Sequence, residues 1–152
     1  MTETATSSLD QSVIECVLAA QDESSAVLAI PETDYRIHVM LKEPLTHETG
    51  AKLRGRLRAS ARRIDVIAAG GRYIEPVNGR PRRIQGRVIT IDEINDTITV
   101  KAPIPIVCRT NALQRAVSSG LNDTALQRAV SFKPDQMVSF DIEPGVRFEP
   151  LT

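Results

Sequence analysis

The residues with the clearest capacity for chemistry in this sequence are its arginines. Fifteen arginines stand beside four lysines, and eleven basic residues fall between Lys52 and Arg87. Only Asp65 and Glu75 oppose them there, so this segment carries a formal charge of +9 within a chain that is formally neutral. The arginine guanidinium is a flat fork of hydrogen-bond donors that matches phosphate and carboxylate. The pattern predicts a cationic region that meets an anionic ligand or partner.

Several of these cations recur at every second position. Residues 51–62 alternate between small or apolar side chains and mostly basic ones, which predicts a strand with one cationic face. A helix over residues 51–63 is the alternative, because alanine, leucine and arginine are good helix formers. The apolar phase shifts near Arg63, which predicts a bulge or a sharp bend.

A second basic cluster follows in the sequence and flanks Asn78–Gly79. This Asn-Gly pair predicts a tight turn. The predicted anion-binding set consists of the row, which is Lys52, Arg54, Arg56, Arg58 and Arg62, together with Arg72 and with Arg80, Arg82 and Arg83 of the second cluster. We interpret the protein as a non-enzymatic binding module for a polyanion, RNA or DNA, which uses an arginine-rich strand face. The alternative is a structural or assembly protein whose cationic face pairs with an acidic segment of its own chain or of a partner. The first 34 residues contain seven acids and no base, which makes them the candidate segment.

Signals for catalysis are weak, so the sequence leaves enzymatic activity uncertain and leans against it. His38 and His47 are the only histidines, and no cysteine or histidine pair has the spacing of a metal site. Glycine-rich phosphate loops and nucleophile motifs are missing. No catalytic residue, metal or cofactor is predicted. Cys16 and Cys108 each alternate in phase with apolar neighbours and are expected to be buried thiols of the core.

One short motif suggests a different ligand. Arg58 and Arg62 form an R-x-x-x-R pattern that resembles the first motif of the PilZ class of cyclic-dinucleotide receptors, and residues 65–70 resemble its second motif, D-x-S-x-x-G. Ile67 replaces the serine, and the two elements are nearly adjacent, whereas a stretch of barrel separates them in that family. Among fifteen arginines an R-x-x-x-R pattern also arises easily by chance. A receptor of this class therefore remains a secondary alternative.

Strand signals dominate the chain, so the predicted fold class is mostly β. We expect a disordered leader at residues 1–11 and a single β-barrel-like domain at residues 12–152. The barrel proper should span roughly residues 50–149, with additional strands N-terminal to it and one or two short helices near residues 111–131. The order of long strand, hairpin, helical segment and final strands resembles an OB-type barrel, and an SH3-like barrel also satisfies it.

Three local patterns refine this expectation. Residues 83–101 predict a hairpin with its turn at 92–96, and residues 137–148 predict another, with Phe140 and Phe148 packed across its strands. The heptapeptide Ala-Leu-Gln-Arg-Ala-Val-Ser occurs at 112–118 and again at 125–131. We interpret the repeat as a local duplication that forms two short helices.

The apolar segments are short. No apolar run approaches the ~20 residues that cross a bilayer, and residues 1–11 lack the basic start and apolar middle of a secretory signal. The sequence therefore predicts a cytoplasmic protein with no membrane partner and leaves its oligomeric state open.

Overall fold

The computed structural model describes residues 11–110 and 127–151 of the chain. Most of the described residues form strands, so the predicted mostly-β class is confirmed. In chain order the strands are β1 (Ile14–Gln21), β2 (Ser25–Ala29), β3 (Arg36–Met40), β4 (Lys52–Ile67), β5 (Tyr73–Glu75), β6 (Asn78–Gly79), β7 (Arg83–Asp92), β8 (Thr97–Lys101), β9 (Pro105–Arg109), β10 (Met137–Ile142) and β11 (Arg147–Pro150). One turn of 3-10 helix at Ala129–Ser131 precedes β10.

The long strand β4 follows the alternation in its sequence. Leu53, Leu57, Ala59 and Ala61 are buried, and the basic or polar side chains that alternate with them are exposed or half-buried. The strand prediction for residues 51–62 is therefore confirmed, and the helical alternative is wrong. An alternating pattern is satisfied by a strand because successive side chains point to opposite faces.

A bulge interrupts β4 where the apolar phase of the sequence shifts. Phe140 of β10 lies opposite Ile64, but Ile142 lies opposite Ala61, so β4 carries one residue more than its partner over this interval. Arg62 and Arg63 are therefore both exposed, and Ile64 returns to the core. The predicted bulge is confirmed, since one added residue resets which face each later side chain occupies.

Strand pairing among the described residues closes two rings of five strands that share β4. The first ring runs β4, β1, β2, β3, β11 and back to β4. The second ring runs β4, β10, β7, β8, β9 and back to β4. Most contacts within the rings are antiparallel, whereas β11 with β3 and β9 with β4 are parallel. The short strands β5 and β6 pair with β7 and β3.

The predicted local pairings have different outcomes. The hairpin of β7 and β8 is confirmed, with its turn between Asp92 and Thr97. The hairpin predicted for residues 137–148 is wrong: β10 and β11 each pair with a different part of β4. Asn78–Gly79 was predicted as a turn, but these residues form β6 and pair with the beginning of β3. Such non-local pairings leave no periodic signal in the sequence.

The core is one cluster of mostly aliphatic side chains drawn from both rings. Cys16 and Cys108 are free thiols buried within it, as the sequence predicts. Burial raises the pKa of Cys16 to about 12 and also raises the pKa of Cys108, because a thiolate is poorly solvated in an apolar interior.

Some predicted segments lie outside the described residues. These are positions 1–10 of the expected leader and positions 111–126, which hold one complete copy of the repeat and the beginning of the other. Of the two predicted helices, the described part contains only the single 3-10 turn at Ala129–Ser131. No helix in the described part is long and apolar enough to span a membrane.

Candidate anion-binding site

The predicted cationic row lies on the outer face of β4. The side chains of Lys52, Arg54 and Arg62 are exposed, and those of Arg56 and Arg58 are partly covered. The pleat of the strand produces this arrangement, because it turns the intervening apolar residues into the core. The structure therefore brings the five predicted cations of the row to one face of one strand.

Glu149 of β11 binds the middle of the row. Arg58 Nε donates to Glu149 Oε2 at 3.0 Å, and Arg58 Nη2 donates to Oε1 at 3.2 Å. Arg56 Nη1 lies 3.9 Å from the same Oε1, and Arg56 Nε donates to Ser12 Oγ at 2.9 Å. The hydrogen bond from Arg58 lowers the pKa of Glu149, since a donor to the carboxylate favours its charged form.

Two further arginines of the predicted set are paired within the chain. Arg62 Nη2 donates to Glu143 Oε2 at 3.2 Å. Arg83 Nη1 donates to Asp141 Oδ1 at 2.9 Å, and Arg83 Nη2 donates to Ser139 Oγ at 2.7 Å. Both carboxylates come from β10 or the residue after it. The charge of these arginines is therefore partly compensated by the chain itself.

The source of these carboxylates differs from the sequence-based expectation. The acid-rich residues 1–34 were the candidate segment, but the short ion pairs use Asp141, Glu143 and Glu149. Among the described residues of the first 34, only Glu15 pairs with the row, at 3.9 Å from Arg54 Nε. Both side chains are well exposed, and such pairs contribute little to stability.

Four members of the predicted set remain unpaired. The exposed side chains of Lys52, Arg72, Arg80 and Arg82 form no ion pair or hydrogen bond with any described residue. Lys52 begins β4, Arg72 lies in the loop between β4 and β5, and the other two lie between β6 and β7. Their full charge is available to an external anion.

The structure also places two arginines that sequence reasoning missed beside the row. Arg109 of β9 and Arg147 of β11 line one cleft of about 180 Å3 together with Arg58. Ser60 of β4 lies opposite Arg109 in the parallel pair, and Arg58 lies opposite Arg147 in the antiparallel pair. Within its own strand, each arginine lies at a position that faces outward. The pairing of β9 and β11 with β4 is what places both arginines beside the row.

Two larger clefts adjoin this region. One, of about 660 Å3, lies between residues 42–47 and 147–151 and shares Arg58 and Arg147 with the smaller cleft. The other, of about 310 Å3, lies on the other side of the turn at 144–145 and includes Arg80 and His38. Arginines therefore line all three of these openings.

The described part of the chain offers no metal centre. No cluster of three or more histidine, cysteine, aspartate or glutamate side chains there could hold a metal ion. His38 Nε2 lies 2.8 Å from Asn78 Oδ1, which ties this side chain to β6. The chemical groups that the clefts present are mainly the guanidinium donors of arginine.

No family model, curated protein or solved structure matches this chain. The functional argument therefore rests on the geometry of its own residues.

Proposed function

We propose that this protein is a non-enzymatic binding module for a polyanion, with nucleic acid as the first candidate. The observation that carries the proposal is the unpaired state of Lys52, Arg72, Arg80 and Arg82 on the described surface. Exposed cations attract a phosphate backbone through charge and counterion release, with little dependence on base sequence.

The finer fold assignment belongs to the same proposal. We propose that the second ring is a small barrel, OB-like or SH3-like, and the closure of its pairing supports this. The segment before β10 lies between the fourth and fifth strands of that ring, whereas an OB-type barrel has its helix between the third and fourth. This order favours the SH3-like alternative.

The test is a titration with a labelled oligonucleotide at several salt concentrations. If four cations contact phosphates, log K should fall against log salt with a slope of about −2.8 to −3.6. Changing any one of Lys52, Arg72, Arg80 or Arg82 to Gln should weaken binding to all base sequences alike and reduce that slope by about 1. Lys133→Gln is the control, because Lys133 is an exposed cation outside the basic stretch. No binding at about 50 mM salt would contradict the proposal.

A structural or assembly protein is the second candidate, and the ion pairs of Arg58, Arg62 and Arg83 with Glu149, Glu143 and Asp141 favour it. Glu149→Gln separates the two candidates. The variant frees Arg56 and Arg58, so the binding module should hold an oligonucleotide more tightly, by up to about tenfold. In the assembly protein the variant should leave oligonucleotide binding absent. Glu93→Gln, which removes an exposed carboxylate from the turn between β7 and β8, is the control.

A further inference from the structure

The small cleft between β4, β9 and β11 has features that set it apart from the rest of the cationic surface. Three arginines line it, Arg58, Arg109 and Arg147. We propose that this cleft binds a single phosphate group of a ligand. The inference rests on the proposed anion-binding function and names the chemical group that is recognised.

The charges around the cleft are unbalanced. None of the described residues that line it is acidic. The nearby carboxylates are engaged, since Glu149 accepts from Arg58 and Glu143 accepts from Arg62. Arg109 and Arg147 form no ion pair with any described residue. Arg147 is attracted to Glu149 only at longer range, and that carboxylate already accepts from Arg58. An anion in the cleft would supply the missing countercharge.

Strand register makes this imbalance costly in the free protein. Arg147 lies directly opposite Arg58 in the antiparallel pair of β11 and β4, and like charges in this position destabilise a sheet. Arg109 joins them from β9, which pairs with β4 from the other edge. Binding of an oxyanion would relieve this repulsion, so the site favours a ligand with more than one negative charge.

Hydrogen-bond donors in the cleft suit the oxygens of a phosphate. Arg58 uses Nε and Nη2 for Glu149, which leaves Nη1 available. Ser60 and Thr97 also line the cleft, and their hydroxyls have no partner within the described chain. Guanidinium forks and hydroxyls together can surround a tetrahedral anion from several sides.

Size limits what the cleft can enclose. Its volume of about 180 Å3 is below the ~300–1,000 Å3 of pockets that enclose a whole small molecule. The cleft therefore takes a group rather than a molecule, and the rest of the ligand lies outside it. That group is either one phosphate of a nucleic-acid backbone or the phosphate of a small phosphorylated compound.

The test uses inorganic phosphate as the probe, with sodium chloride added to match ionic strength. Nuclear magnetic resonance should show saturable shifts of the Ser60 and Gly145 amides and of the Arg109 and Arg147 Nε–H groups. Arg109→Gln and Arg147→Gln should each weaken phosphate binding by about tenfold. Arg36→Gln removes an exposed strand arginine outside the cleft and should leave binding unchanged. The same spectra report whether each variant is folded.

The outcomes separate this site from the proposed function. The site is overturned if wild-type shifts do not saturate, or if a folded Arg109→Gln, Arg147→Gln double variant responds like the wild type. Phosphate binding without oligonucleotide binding would uphold the site, assign it to a phosphorylated small molecule and refute the polyanion function. Oligonucleotide binding that both substitutions weaken would uphold the site as a backbone contact. Oligonucleotide binding that is indifferent to both, without phosphate binding, would refute the site alone.

Discussion

Individual arginines of this protein differ in their availability although they share one sequence pattern. Arg58 donates two hydrogen bonds to one carboxylate, whereas Lys52, six residues earlier on the same face, has no partner among the described residues. The difference arises because β11 crosses only part of β4 and carries Glu149 to that part. Charge on this surface therefore depends on which strand lies alongside.

The pair of Arg58 and Glu149 should make stability sensitive to acid. The pKa of Glu149 is lowered in the folded state, so its contribution is present above the unfolded value near 4.3 and is lost as the pH falls through the folded value. Glu149→Gln should therefore reduce the free energy of unfolding at pH 7 by about 0.5–1 kcal/mol, a small figure because the pair is half exposed to solvent. Urea denaturation at several pH values measures this.

The effect of Glu149→Gln should shrink as the pH falls from about 4.3 through the lower folded value, because the wild-type carboxylate then becomes neutral in the folded protein too. Glu93→Gln provides the matched loss of one exposed carboxylate. An effect of Glu149→Gln that stays constant across this range would show that packing rather than charge is responsible.

Among the strands, β4 is the most constrained by its neighbours, because it belongs to both rings. Its first part lies between β1 and β11, and its last part lies beside β10. Small residues on its inner face allow close packing at the crossing with β11. At Gly55 an added Cβ would lie 2.5 Å from the Glu149 carbonyl oxygen and 2.6 Å from the Phe148 ring.

Gly55→Ala should therefore be destabilising. The backbone of β11 cannot give way without breaking its pairing with β4, so we expect a loss of about 1–3 kcal/mol in the free energy of unfolding. Thermal or urea denaturation measures the loss. Gly71→Ala is the control, because an added Cβ there meets nothing within 4 Å, and its effect should stay within about 0.5 kcal/mol. Equal effects of the two substitutions would contradict the close packing at Gly55.

At the scale of the whole molecule, the two rings share both a strand and a core. Cys16 lies in β1 of the first ring, and Cys108 lies in β9 of the second. Each buried thiol has a raised pKa, and the thiolate is the form that reacts with thiol reagents. The two cysteines are thus natural probes, one for the opening of each ring.

Both thiols should become reactive with the same free energy of opening, equal to that of global unfolding, because β4 cannot leave one ring without disturbing the other. Cys16→Ala and Cys108→Ala isolate the two signals, and labelling rates near pH 8 in increasing urea measure them. Ser24→Cys, in a variant without the native cysteines, gives the rate of an exposed thiol. A substantially lower opening energy for one thiol would mean that the rings unfold separately.

Sequence reasoning succeeded where the signal is local. The alternation of residues 51–62 predicted the strand, its charged face and the bulge near Arg63. It failed where the outcome depends on strands distant in sequence. Arg109 and Arg147 were missed because their proximity to Arg58 arises from the pairing of β9 and β11 with β4.

The acidic partners that the described residues supply to the arginines were not anticipated, for the same reason. Charge composition drew attention to residues 1–34, while strand register brought Asp141, Glu143 and Glu149 to the arginines. Composition reports how much charge a segment carries, but strand pairing decides which charges meet.

The shared use of β4 also has a consequence for synthesis on the ribosome. β11 closes the first ring by joining β3 to β4, and β10 closes the second by joining β7 to β4. Both closing strands lie after residue 136, although most of the other strands are made much earlier. The nascent chain therefore carries β1–β9 with open sheet edges until β10 and β11 have been made. Neither ring can close before that point, and the unclosed edges are where a chaperone would bind.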